Sequence, residues 1–288
     1  MGCAPRIRPG RLGHGSTGDT GRLGHGSAGD TGRLGAVDGA LCDNGAVHNY
    51  RDEGIVLSGH KLGEADRIVT VLTRSHGLVR AVAKGVRRTK SRFGSRLEPF
   101  MLIDVQCHVG RNLDIVTQVE LIEPFARGIG ADYDAYSAAS VMAETASRIT
   151  EAEPVSRAQF LLLVAAIRSL CKGEHPPRLA LDAYLLRAMS VAGWAPSLAD
   201  CAQCGAPGPH RAFSAALGGA VCSGCRPSGA ALPDTDALDH LAALLTGDWA
   251  HAEASDLHDQ MDGSKLVSDW VSWHLERNIR SLRVLERT

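Results

Sequence analysis

Short runs in which apolar and polar residues alternate fill the chain between residues 49 and 129. Polar turns, such as Ser75–Gly77 and Gly110–Asn112, separate five of these runs, which are rich in β-branched residues. The runs are Gly54–Ser58, Arg67–Thr73, Gly77–Ala83, Phe100–Gln106 and Leu113–Leu121. A period of two is typical of β-strands. Five short strands in about 75 residues, with no helical pattern between them, predict a small closed barrel.

The pattern changes at Tyr133 to the period of an α-helix. One apolar face is formed by Ala138, Val141, Met142, Thr145 and Ile149, and another by Leu181, Tyr184, Leu185, Ala188 and Met189. Phe160–Leu170 is apolar nearly all round, which predicts a central buried helix. Two more helices are expected around Leu238–Leu245 and Leu266–Val271. The second half is therefore predicted to be a helical bundle, interrupted by a cysteine-rich insertion at about 200–228.

Residues 1–48 follow neither period. The segment Gly10–Thr20 recurs almost unchanged as Gly21–Thr31, and the first 48 residues hold 13 of the 32 glycines. Such a repeat buries too little apolar surface to offset the entropy of ordering its backbone, so we expect disorder. The repeat superficially resembles a phosphate-binding glycine loop, but it lacks the lysine of that motif. The expected domains are thus 1–48, 49–129 and 130–288.

The net charge of -1 conceals an uneven distribution. Residues 49–129 carry 13 basic and nine acidic side chains, whereas residues 130–288 carry 13 basic and 19 acidic ones. No acid interrupts a run of seven cations, Arg80, Lys84, Arg87, Arg88, Lys90, Arg92 and Arg96. A cationic loop leaving a small barrel favours a nucleic-acid backbone as its partner, and Phe93 could stack on a base. The alternative is a solvated loop with no ligand.

Four cysteines are arranged as two CxxC pairs. Cys201 and Cys204 are separated by 17 residues from Cys222 and Cys225. This spacing is typical of a structural zinc site, since each pair of thiolates can hold one edge of a tetrahedral ion. Four cysteines would fill the coordination sphere and leave no open position for catalysis. A dithiol redox switch is the alternative, and His210 is expected to be an ordinary loop residue.

The chain lacks the sequence motifs of several enzyme classes. It contains no HExxH, P-loop or GxSxG motif, so no catalytic residue is predicted. No apolar run approaches the ~18 residues that a membrane span requires, and the N-terminus lacks the apolar core of a signal peptide. The expected protein is therefore cytoplasmic, with no membrane partner.

The motifs in residues 49–287 resemble those of the RecO family of bacterial recombination mediators. The resemblance is carried by His60–Arg67, Ala83–Arg88, Ser91–Gly94, Leu97–Phe100 and Gly110–Leu113, then by the CxxC insertion and the closing Arg280–Leu285. It implies an OB-fold barrel followed by a helical domain with an inserted zinc ribbon, an α+β multidomain protein. Residues 1–48 have no expected counterpart in the family.

The resemblance also implies a function. The protein would bind single- and double-stranded DNA, anneal complementary strands and, with RecR, promote loading of RecA onto DNA coated by single-strand binding protein. It would be associated with the nucleoid. Carried onto this chain, the DNA-facing residues would be Lys61, Arg67, Arg80, Lys84, Arg87, Arg88, Lys90, Arg92 and Arg96. One structural Zn²⁺ would be held by Cys201, Cys204, Cys222 and Cys225.

Two other functions are compatible with the residues. The first is an RNA-binding or other nucleic-acid-binding OB protein without mediator activity, which would fail to anneal complementary DNA. The second is a zinc-dependent hydrolase, which would require a metal position open to water.

Overall fold

The computed structural model of the protein describes residues 49–152, 155–234 and 236–275. The expected disorder of residues 1–48 lies outside these residues, as does the family-like segment Arg280–Leu285.

The first half of the described chain is a closed five-stranded barrel. Its strands are β1 Asn49–Leu62, β2 Asp66–Thr73, β3 Gly77–Ala83, β4 Met101–His108 and β5 Asp114–Pro124. They follow the order β1-β2-β3-β5-β4, and β4 pairs with β1 to close the barrel. All pairs are antiparallel except β3 with β5. The predicted barrel is confirmed, with strands that extend a few residues beyond the alternating runs.

The two faces of the barrel strands pack against different partners. Inward-facing Val56, Val69 and Ile103 belong to the barrel's own apolar core. Outward-facing Ile55 and Leu57 are buried against helices, and a bulge in β1 between Val56 and Ser58 marks where the strand changes register. The barrel therefore shares part of its outer surface with the helical half, because both faces of β1 are apolar there.

Seven α-helices follow the barrel within the described residues. They are α1 Phe125–Ile129, α2 Tyr133–Ala152, α3 Arg157–Lys172, α4 Pro177–Val191, α5 Ala237–Thr246, α6 Trp249–Ala254 and α7 Leu257–His274. The start of α3 is capped by Ser156, whose side chain accepts a hydrogen bond from the Gln159 backbone N–H. Its end is marked by Gly173 in the left-handed conformation, at a φ of 63°.

The central helix is α4. Ten of its 15 residues are buried, including polar Asp182, so the helix is covered on nearly every side. The sequence assigned this position to Phe160–Leu170, and that prediction was wrong. Leu161 on α3 is 47% exposed, so α3 buries one face only. Alanines at 180, 183 and 188 let neighbouring helices approach α4 closely, a feature that hydrophobicity alone does not report.

A buried polar chain links α4 to α7. The Ser264 hydroxyl donates to Asp182 and accepts a hydrogen bond from Arg178 Nε at 2.9 Å. Burial raises the pKa of Asp182 to about 7, although the contacts with Ser264 and Arg178 act in the opposite direction. The helical core thus holds a carboxyl group that titrates near neutral pH.

Within the described ranges, none of the helices has the length and apolar character needed to cross a membrane.

Candidate nucleic-acid interface and metal centre

The segment between β3 and β4 carries most of the predicted DNA-facing cations, and apolar side chains anchor it. In this basic loop (residues 84–97), Val86, Phe93 and Leu97 are buried in the barrel core. Phe93 is only 2% exposed, so the expectation that it stacks on a base was wrong. The buried apolar side chains fix the loop backbone to the barrel. Between them, exposed cations form a charged rim: Lys84, Arg87, Arg88, Lys90, Arg92 and Arg96.

Hydrogen bonds also tie the basic loop to the β1–β2 turn. Gly85 N donates to Asp66 Oδ1 at 2.7 Å, and Arg87 N donates to the Ala65 carbonyl at 3.0 Å. Arg87 Nη1 reaches the Gly63 carbonyl at 3.1 Å. The turn therefore lies against the start of the loop, and Lys61 at the end of β1 belongs to the same end of the barrel.

The predicted cations of this region are mostly free of carboxylate partners. Among the described residues, none of the following forms an ion pair: Lys61, Arg80, Lys84, Arg87, Arg88, Lys90, Arg92 and Arg96. All eight are exposed. Arg92 lies over the Phe93 ring, 4.9 Å from its centroid, and Arg96 Nη1 donates to the Arg92 carbonyl at 2.9 Å. Positive charge is thus concentrated on a surface where a polyanion could replace counterions.

Arg67 differs from the other predicted cations. Its Nη1 donates to Glu98 Oε1 at 2.8 Å, and its side chain is only 20% exposed. Gly59, its close neighbour on β1, provides the space: a Cβ there would come within 2.8 Å of Arg67 Cδ. The guanidinium is therefore already paired with a carboxylate, and its assignment to DNA stays a prediction.

The opposite charge pattern occurs where β1, β4 and β5 meet. Arg51 contacts Asp104 at 2.7 Å and Glu120 at 3.0 Å, so this surface neutralises its own cation. The hydrogen bonds to Asp104 and Glu120 raise the pKa of Arg51. A polyanion would meet carboxylates here, and the barrel therefore has one side suited to nucleic acid and one that is not.

The four predicted cysteine ligands converge. The sulfur atoms of Cys201, Cys204, Cys222 and Cys225 all lie within 4.8 Å of one another. Cys204 Sγ and Cys222 Sγ are 3.8 Å apart, too far for a disulfide at about 2.05 Å. Thiolates at about 2.3 Å from a tetrahedral ion are separated by about 3.8 Å, so the cluster has the dimensions of a four-sulfur metal site.

The chemistry of these thiols also fits a cation. Backbone N–H groups, that of Cys222 first, lower the pKa of Cys201 to about 6. The neighbouring thiols, that of Cys222 first, raise the pKa of Cys225 to about 12. Four thiolates do not coexist without a positive charge among them, and a bound metal ion would supply that charge.

The backbone around the cysteines joins this site to the helices. In the cysteine segment (residues 197–231), β6 Ala212–Ser214 pairs with β7 Gly219–Val221. Ala212 and Val221 pack with Cys201, whereas Phe213 and Ala220 belong to the helical core. The two faces of this hairpin therefore connect the metal site to the bundle, as strand alternation requires.

Comparisons with known proteins match both halves. The family model "Recombination protein O N terminal" matches residues 47–125, and "Recombination protein O C terminal" matches residues 130–283. This chain belongs to the RecO family. The "DNA repair protein RecO" of Streptomyces griseus is 55% identical over 246 residues, which cover 83% of this chain and 99% of that protein. The "DNA repair protein RecO" of Thermobifida fusca is 55% identical over 240 residues, covering 83% and 98%.

One exposed cation near the barrel, Arg111, was not among the predicted DNA-facing residues. Arg111 lies in the turn between β4 and β5, which was interpreted only as a strand separator. It forms no ion pair within the part of the chain that the structure describes. A lone arginine at a hairpin tip, beside an asparagine and a glycine, is the signal that could have found it.

Proposed function

We propose that this RecO-family protein is a mediator of DNA repair and homologous recombination that binds single- and double-stranded DNA and anneals complementary strands. The observation that carries the proposal is the unpaired cationic rim of the basic loop. That rim is fixed to a closed barrel by three buried side chains. The names of the curated relatives, which are DNA repair proteins, support it.

Physical chemistry connects the rim to annealing. Two DNA strands repel each other, and a cationic surface offsets this repulsion by releasing the counterions condensed on each strand. Contacts to phosphate carry no sequence information, so strands can exchange on the surface. The rim offers arginine and lysine side chains on an anchored backbone, which suits contacts of this kind.

The two halves are proposed to divide the work. Residues 49–129 would bind DNA, and the acidic residues 130–288 would contact proteins, namely RecR and single-strand binding protein. The outcome would be loading of RecA onto DNA coated by single-strand binding protein, in a cytoplasmic protein associated with the nucleoid. Family membership supports this division, and so does the charge of the two halves, 13 basic with nine acidic against 13 basic with 19 acidic.

The cysteine cluster is proposed to hold one structural Zn²⁺ through Cys201, Cys204, Cys222 and Cys225. The ion would lock the two turns of the cysteine segment together and compensate the charge of the thiolates. Since four sulfurs complete a tetrahedral shell, the site would stabilise the fold and take no part in a reaction. Cobalt substitution tests this: a spectrum of four sulfur ligands is expected, and one with fewer would favour a hydrolase.

Strand annealing tests the proposal directly. The full chain is mixed with two complementary fluorescent oligonucleotides, bare or coated with single-strand binding protein, with and without RecR. Faster duplex formation than without protein is expected, and it should be lost when Arg88, Lys90 and Arg92 are replaced by alanine. Failure to anneal DNA would contradict the proposal, and equal annealing of RNA would favour an RNA-binding protein.

A further inference from the structure

A groove of about 620 Å³ opens on the barrel between β1, β3 and the β4–β5 turn. Tyr50, His76, Arg80 and Arg111 are among the residues that line it. Its volume lies in the range of small-molecule sites, and its lining combines aromatic, aliphatic and cationic side chains. It lies apart from the basic loop, none of whose residues line it.

One wall of the groove is an ordered aromatic pair. The rings of Tyr50 and His76 stack with centroids 4.3 Å apart and planes inclined by 29°. Tyr50 Oη donates to Asp114 Oδ2 at 2.5 Å, and His76 Nδ1 lies 2.7 Å from Asp52 Oδ2. Burial would raise the pKa of Asp52, but hydrogen bonds from His76 and the Ser75 backbone outweigh it, so that pKa is lowered. Both rings are thus held in place before any ligand binds.

The charge in the groove is positive. Within the described residues, the side chains of Arg80 and Arg111 form no ion pair and no hydrogen bond. Asp114 is the acid among the lining residues, and its oxygens already accept from Tyr50 Oη and from Gly110 N at 3.1 Å. Two guanidinium groups beside an aromatic wall can bind phosphate and a base together.

We propose that this groove binds an unpaired nucleotide of a DNA strand, with the base against the Tyr50–His76 pair and the phosphates on Arg80 and Arg111. The inference rests on the proposed function. Duplex DNA keeps its bases stacked and paired, so it cannot place one against an aromatic wall. Single strands would therefore contact the groove and the basic loop, and duplexes chiefly the loop.

The fold connects the two surfaces. Arg80 lies on β3, and Lys84 begins the basic loop four residues later. Four residues of extended strand span about 13 Å, so one DNA strand can pass from the groove to the loop. The groove would then select single strands, while the loop would bind any DNA backbone.

The experiment compares full-chain variants on two substrates. Arg80→Ala with Arg111→Ala should weaken binding to an oligo(dT) strand about tenfold and lower its salt slope by about 1.4, at 0.7 for each phosphate contact. Affinity for a blunt duplex should change less than twofold. The matched control, Arg127→Ala with Arg211→Ala, removes the same charge from exposed sites outside the groove.

Cross-linking locates the contact. Oligo(dT) carrying 5-iodouracil should photocross-link to Tyr50 or His76. Cross-links elsewhere only, or equal losses on strand and duplex, would overturn the inference. If the alanine variant of Arg88, Lys90 and Arg92 loses DNA binding while the alanine variant of Arg80 and Arg111 keeps it, only the inference about the groove fails. If both keep it, the proposed function fails.

Discussion

The basic loop and the cysteine segment are both irregular stretches inserted between regular elements, yet they are held in opposite ways. The loop is fixed by Val86, Phe93 and Leu97, which reach into the core of the barrel. The cysteine segment has a core of its own with only three fully buried members, Cys201, Ala212 and Val221. Phe213 and Ala220 of the same segment pack into the helical core, and we expect a metal ion bound by the four converging sulfurs to hold the rest.

The two segments differ in whether the residues that fix the backbone are also the residues that would bind a ligand. In the loop, apolar residues hold the backbone and leave the cations free for a ligand. In the cysteine segment, the side chains proposed to bind the metal would also hold much of the backbone. Damage to the cysteines should therefore cost structure, and damage to the loop cations should cost binding.

The largest effect is expected from removing two metal ligands. Cys201→Ser with Cys204→Ser should abolish metal binding and lower the melting temperature strongly, because structural zinc sites contribute on the order of 10 kcal/mol to folding. Affinity for DNA should change less than twofold at temperatures where the barrel stays folded. Metal analysis, thermal unfolding and fluorescence anisotropy measure the three quantities.

Cys171→Ser is the control for this pair, since Cys171 lies outside the cluster. It should keep the metal. A double variant with an unchanged melting curve and lost DNA binding would mean that the cysteine segment touches DNA itself.

The next effect concerns the loop's anchor. Phe93→Ala should destabilise the protein by about 3–5 kcal/mol, the usual cost of deleting a buried aromatic ring. Arg92→Ala removes the cation above the same ring and should cost less than about 1 kcal/mol. Urea unfolding measures both. Unchanged stability in Phe93→Ala, together with weaker binding of single strands, would show that the ring stacks on a base after all.

A third effect is expected in the pH dependence of stability, which should reflect Asp182 in the helical half. The pKa of Asp182 is about 7 in the folded protein and about 4 when unfolded, so the folded state binds more protons between these values. Stability should therefore fall as pH rises from about 4 to 7. Asp182→Asn should remove this slope and stabilise the protein at pH 8 by up to about 4 kcal/mol. A slope that persists in the variant would assign the titration to another group.

Much of the barrel could be predicted because each strand carries an alternating pattern within its own short segment. Alternation located all five strands, and the CxxC spacing located four sulfurs that the fold brings together. Hydrophobic periodicity could not show that the central helix is α4 and not α3. Leu161 is apolar yet exposed, and burial of α4 depends on which helices surround it.

The predicted DNA-facing residues illustrate the same limit. The pairing of Arg67 with Glu98 joins residues 31 positions apart and depends on the barrel's closure. The burial of Phe93 could have been predicted, because Val86, Phe93 and Leu97 are the bulky apolar residues of an otherwise polar loop. Their spacing indicates anchors, and the surrounding charges obscured that signal.

The proposed function depends on contacts between unpaired cations of the basic loop and DNA phosphates. Its most direct test is the salt dependence of oligo(dT) binding by Arg88→Ala, Lys90→Ala and Arg92→Ala combined. The control removes three exposed arginines elsewhere, at positions 127, 157 and 211. We expect the slope of log K against log salt to flatten by about 2 in the loop variant, at 0.7 per contact, and to stay constant in the control. An unchanged slope in the loop variant would show that these cations do not contact DNA phosphates.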